Sequence, residues 1–207
     1  MRSSFTRSRF VRLLEAGLPT PAEAPAPDFA ERMSLWVDAF AAVRLQAAQQ
    51  AARSLRAPAV VPRQRAAALA ADVQRVRAAL AAAIARKLTH DEAPAYAAYR
   101  QRHLELQHQM ELMVAPLREH VRQALGRGST RLRQLAALDA ALDDVLAPRE
   151  QKLLPAAAAL LERRFGELAL DVFERQWREV LLAEVDLRLE RVTGLVEALS
   201  NEPELPS

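Results

Sequence analysis

The side chains of this chain best suited to chemistry are four histidines and a large set of arginines and carboxylates, for it contains no cysteine. Thiolate nucleophiles, thiolate metal sites and disulfides are therefore excluded. The sharpest candidate is Glu105-Leu-Gln-His108. A Glu and a His three apart on a helix share a face, and paired motifs of this kind hold two irons inside four-helix bundles. Such a site needs two copies, and no second Glu-x-x-His occurs in the chain. His103 lies five residues from His108, about 140° around a helix, and cannot complete the set. The motif reads as a solvated helix face.

Other candidates resolve the same way. His103 falls on an apolar stripe, where an imidazole could be tuned for proton transfer but more often fills core. Trp36 and Trp177 could anchor a partner, yet both sit at stripe spacing and are expected in the interior. Met110 and Met113 read as adaptable core. Gly126-Arg-Gly-Ser129 could present backbone N–H groups to a phosphate, but it lacks the Gly-x-x-x-x-Gly-Lys pattern and follows no strand, so it reads as a turn. No Ser-His-Asp set or carboxylate pair stands out from the background of charge. The expectation is a protein that is no enzyme and takes no cofactor and no metal.

The elements that position these residues follow from composition. About a fifth of the 207 residues are alanine, only 5% are aromatic, and there are 5 glycines. Alanine has the best helix propensity and lets helices approach closely, which favours slender helices over layered sheets. From Asp28 and Glu31, a plausible capping pair, residues Phe29, Met33, Trp36, Phe40, Val43, Ala47 and Ala51 recur at three and four and predict a helix to about Arg56. Pro58 and Pro62 frame a turn. Leu69, Val73, Val76, Leu80, Ile84 and Leu88 then mark a second helix. Residues 89–94 supply capping oxygens and a proline for a third, with the stripe Tyr99, His103, Leu106, Met110, Met113, Leu117, Val121 and Leu125. Pro116 predicts a kink or break there. Ser129 can cap a fourth helix, bearing Leu132, Leu135, Leu138, Leu142 and Val145, that Pro148 should end.

Beyond Pro155 a stripe from Leu161 to Leu199 predicts a final helix of roughly 45 residues, about 70 Å if unbroken, so it should bend near Gly166 or project. Its later half, Phe173 to Leu199, makes seven stripe steps over 26 residues. That averages about 3.7, against 3.5 for heptads, and predicts nearly straight helices and no long left-handed coiled coil. The fold expected is all-α: an elongated helical bundle of about five helices with a long C-terminal helix and a detached N-terminal amphipathic arm. The expected parts are an arm at 1–18, a Pro/Ala linker at 19–27, a helical bundle at 28–200 and a disordered tail at 201–207.

Charge is unevenly spread. Residues 1–88 carry 14 cations against 6 acids, and residues 89–207 carry 15 against 20. The two halves are expected to attract one another within the fold, the alternative being an acidic partner for the first half. The arm places Phe5, Phe10, Leu13 and Leu14 on one side with Arg9 and Arg12 beside them, and these six residues are the expected partner-binding set. Arg2, Arg7, Arg9 and Arg12, with Arg53, Arg56, Arg63 and Arg65, admit two alternatives, a basic face for nucleic acid or an arm lying on an anionic membrane surface. No apolar run is long enough to span a membrane, and no signal-peptide pattern precedes the arm. A cytoplasmic protein is expected, at most at the inner-membrane face.

The opening Ser4-Phe-Thr-Arg-Ser-Arg-Phe-Val-Arg-Leu-Leu14, followed after the Pro/Ala gap by Phe29-Ala-Glu-Arg-Met-Ser-Leu-Trp-Val-Asp38, resembles an uncharacterised family of helical proteobacterial proteins, a domain of unknown function. The resemblance implies a cytoplasmic, non-enzymatic adaptor or scaffold. It would be accessory to an envelope-associated assembly built around a proton-channel subunit, with a protein partner, a homo-oligomer being one arrangement. It carries no catalytic residues to this chain.

Overall fold

A computed structural model describes residues 9, 13, 39–55, 63–87 and 95–202, leaving aside the side chains of 39–40, 63–64 and 148–160. Alanine, leucine, arginine and glutamate dominate this sequence, and all four are strong helix formers. Among the described residues the chain accordingly forms helices and no strand: α1 (Ala39–Ser54), α2 (Arg63–Ala85), α3 (Tyr96–Leu125), α4 (Thr130–Glu167) and α5 (Leu170–Ser200). The all-α class expected from composition is the class observed.

Two compact units share these helices. Unit 1 comprises Met1–Pro19, Ala70–Leu117 and Leu153–Thr193. Its core is built from Leu80 and Ile84 of α2, Tyr99, Leu106 and Met110 of α3, Leu161 of α4, and Phe173, Trp177, Leu181 and Leu189 of α5. Unit 2 comprises Thr20–Leu69, Arg118–Lys152 and Gly194–Ser207. Here Leu69, Val121, Leu125, Leu132, Val145, Val196 and Leu199 are buried.

The α3 stripe is buried as its spacing requires, only Met113 being half-exposed. α1 differs. Val43 is 64% exposed and Ala47 and Ala51 are exposed, whereas Ala41 and Ala52 are buried. The predicted face is therefore the wrong one, because in Ala39–Ser54 alanines lie all round the helix and give periodicity little contrast. Trp36, the linker at 19–27 and the start of this helix lie outside the described residues.

Neither Pro116 nor Pro148 breaks its helix. α3 runs unbroken through Pro116. Both Pro116 and Leu112, whose carbonyl loses its helical partner, are exposed residues, a setting in which solvent can reach a freed acceptor. Pro148 likewise does not end α4, which continues to Glu167, and Asp144, four residues before it, is also exposed. The interruption in the long C-terminal stretch falls at Leu168 and Ala169, two residues beyond Gly166, where α4 gives way to α5. Ala169 O accepts from Phe173 N at 2.9 Å and starts the new helix.

Ser129 caps α4 as predicted, its Oγ accepting from Leu132 N at 3.3 Å. Ser129→Ala should cost about 1 kcal/mol of stability, the usual worth of an N-cap, read as a lower urea midpoint with unchanged slope.

Candidate functional site

Four polar or aromatic side chains one turn apart on α3, namely Tyr99, His103, Gln107 and Glu111, form a column in unit 1. α5 runs parallel to α3 there, because partner numbers rise together: Tyr99 with Glu174, Gln107 with Glu184, Glu111 with Arg188. Tyr99 Oη donates to Glu174 Oε1 at 2.7 Å, and Arg178 donates to the same carboxylate at 2.9 Å. Gln107 Nε2 donates to Glu184 Oε2 at 3.1 Å, while Arg188 donates to Glu184 Oε1 from Nε at 2.9 Å and from an Nη at 2.8 Å. Glu184 is only 2% exposed, so these bonds replace its hydration. At the surface end Arg188 also reaches Glu111 at 3.2 Å.

His103 lies inside this column, 2% exposed, and neither ring nitrogen has a hydrogen-bond partner among the described residues. Burial pushes its pKa below the ordinary 6.5, against the pull of Glu184 and with the push of Arg188. Burial also raises the Tyr99 phenol above its usual value, with Glu174 accepting its hydrogen bond and repelling the anion. Both groups are thus held neutral. Tyr99 packs edge-on against Phe173 (centroids 5.1 Å apart) and Trp177 (5.6 Å), so the upper end of the column is sealed by aromatic rings.

Unit 2 holds a second network. Arg122 bonds Asp139 at 2.7 Å and Asp143 at 2.6 Å, and Arg118 pairs with Asp143. Burial alone would lower the Arg122 pKa, but the bonds to Asp139 and Asp143 outweigh it and raise it. These ion pairs pin α3 to α4. A groove of about 330 Å³ near the start of α4 and the end of α5, lined in part by Arg131, Leu135, Leu138, Asn201 and Glu202, brings together one arginine and one carboxylate.

The sequence candidates now have places. Glu105 and His108 are exposed, Glu105 bonding Gln101 and Arg102, and no group of three or more His, Asp or Glu among the described residues is arranged to hold a metal. His103 and Trp177 are buried as expected. The N–H groups of Gly126, Arg127 and Gly128 are spent on α3 carbonyls, so that segment is a turn. Of the arm residues, Arg9 is helical and exposed and Leu13 helical and half-buried, whereas Phe5, Phe10, Arg12 and Leu14 lie outside the described residues. The predicted attraction between the halves takes form as Arg77–Asp186 at 3.3 Å within unit 1 and Arg44–Asp144 at 3.1 Å within unit 2, both solvent-exposed and worth little individually. The residues missed were Gln107 and Glu184. Their signal was the four-residue ladder from Tyr99 to Glu111, matched on α5 by Glu174/Arg178 and Glu184/Arg188 at the spacing that pairs charges along a helix.

Fold and site together define an all-α protein in which buried polar groups such as Tyr99, Gln107, Glu184 and Asp139 bond one helix to another, while His103 stays unbonded among the described residues. Residues 1–170 match the family of proteins of unknown function DUF3348, and the chain belongs to that family. No curated protein and no solved structure matches the chain. No described helix is long and apolar enough to cross a membrane.

Proposed function

We propose that the protein is a non-enzymatic helical adaptor that docks protein partners on outward helix faces, with the N-terminal arm as a tethered recognition segment. The observation that carries this is the outward face of α3, where Leu104 is 43% and Leu112 61% exposed, two turns apart with His108 between them. Two leucines in water on one face of a helix whose other face is fully packed are suited to an apolar segment of another protein. Meanwhile Tyr99, Glu184 and Asp139, three of the buried titratable groups, are engaged in interhelical bonds. The setting the family resemblance implies, an envelope-associated proton-channel assembly, fits an adaptor that reaches the membrane through its partner.

The spacing of Phe5, Phe10, Leu13 and Leu14 in the sequence suits the apolar side of an amphipathic recognition segment, with Arg9 and Arg12 available to meet acidic groups. If the arm is a separate recognition segment, deleting residues 1–18 should reduce partner recovery in a pull-down at least tenfold while shifting the thermal midpoint by less than about 2 °C. Undiminished recovery would remove the arm from the account and leave the α3 face alone.

A further inference from the structure

We propose that His103 makes the α3–α5 seam of unit 1 a proton-operated latch, closed while the imidazole is neutral and opened when the ring takes up a proton.

The geometry rests on three features of one interior. His103 is sealed from solvent with both nitrogens unpartnered among the described residues, and so is Trp177 Nε1, so this part of the seam is already short of hydrogen bonds. The carboxylate best placed to receive a new cation, Glu184, already accepts from Gln107 Nε2 and from two Arg188 nitrogens. Finally, α3 and α5 are fastened on either side of His103, by Tyr99–Glu174 a turn before it and by Gln107–Glu184 a turn after it. A charge arriving at His103 therefore acts on the middle of the seam and not on a frayed end.

The charged groups around the ring are few. From α5, Glu184 draws a proton toward it and Arg188 repels one. On α3 itself Arg102 is committed to Glu105 and to the carbonyl of Ala83 on α2. Elsewhere in unit 1, α2 carries Arg77, paired with Asp186, and α4 carries Glu162, whose charge is felt at Tyr96. Desolvation outweighs the pull of Glu184, so the closed seam binds a proton less readily than the open one. A folded-state pKa below the unfolded value means that stability is whole above about pH 6.5 and is lost as pH falls through that value toward the folded pKa. In that window the opening constant rises up to about tenfold per pH unit. His108 and His120 are exposed, so the water they meet is much the same whether the seam is open or closed.

The test is amide hydrogen exchange of the full chain between pH 7.5 and 5, corrected for intrinsic rates. Wild-type protection at residues 99–110 of α3 and 177–189 of α5 should fall by up to tenfold per pH unit below 6.5. His103→Leu and His103→Gln should make that protection independent of pH, and His108→Gln should leave the response intact. If His103→Leu does not fold, His103→Gln, which keeps a polar group that cannot be protonated, carries the test, together with the titration of the wild-type His103 ring signal in NMR. Protection that does not change with pH in the wild type, a response that survives in the Gln variant, or a ring titrating at or above 6.5 would overturn the proposal.

Discussion

Phe173→Ala is expected to lower the free energy of unfolding by about 3–5 kcal/mol, the range for emptying a buried phenylalanine site. Phe173 is fully buried and stands with its ring edge-on to Tyr99 and to Phe165, each 5.1 Å away between centroids. Removing it takes away the transfer energy of the ring, leaves a cavity, and strips three aromatic contacts, the third with Tyr96 at 6.5 Å, such pairs being worth about 0.5–1.5 kcal/mol each beyond their area. The neighbours cannot collapse into the space, because Tyr99 is held by its bond to Glu174 and Trp177 is itself buried. For a chain of this length each kcal/mol moves the thermal midpoint by roughly 2–4 °C, so the variant should melt on the order of ten degrees lower. Far-ultraviolet circular dichroism during a urea or thermal scan reads this directly. A loss under about 1 kcal/mol would mean that the aromatic cluster is not part of the core.

The second large effect comes from charge. Arg188→Met should destabilise the protein by about 3–5 kcal/mol, since it leaves the buried Glu184 carboxylate with Gln107 as its remaining donor among the bonds described. The bond from Arg188 to Glu111 adds little to this figure, because the Glu111 side chain is 65% exposed. Replacing the whole set with apolar residues, Gln107→Leu, Glu184→Leu and Arg188→Met together, should recover most of the loss, because no buried charge is then left alone. Chemical denaturation of the single and triple variants distinguishes the two. A neutral single variant would show that Glu184 is hydrated in solution, and with it the seam.

These effects depend on residues of uneven legibility. The faces of α3 and α5 could be read from the sequence because bulky residues alternate there with charged ones: every position from Phe173 to Leu199 on the predicted stripe is buried. The face of α1 could not, for alanine surrounds it and a methyl group distinguishes inside from outside too weakly. Pro148 misled because its cost was counted without asking whether the turn before it is exposed; Asp144, four residues earlier, is exposed and the helix runs on to Glu167.

In the candidate site His103 was visible as a polar residue on an apolar stripe. Glu184 was not, because among the many carboxylates of this chain nothing local separates a solvated one from one that meets Gln107, 77 residues away. Pairing across that distance is a property of the parallel arrangement of α3 and α5 in unit 1, and that arrangement exists only once α4 has carried the chain back between them.

The central claim is that the outward face of α3 is a docking surface for another protein, and a photoreactive amino acid at position 112 tests it most directly. Illuminated in cells that produce the full chain, it should give one discrete higher-mass adduct, and Leu104→Asp in the same chain should abolish that adduct without changing the circular dichroism spectrum. A label that reacts with water alone, or an adduct indifferent to Leu104→Asp, would contradict the account.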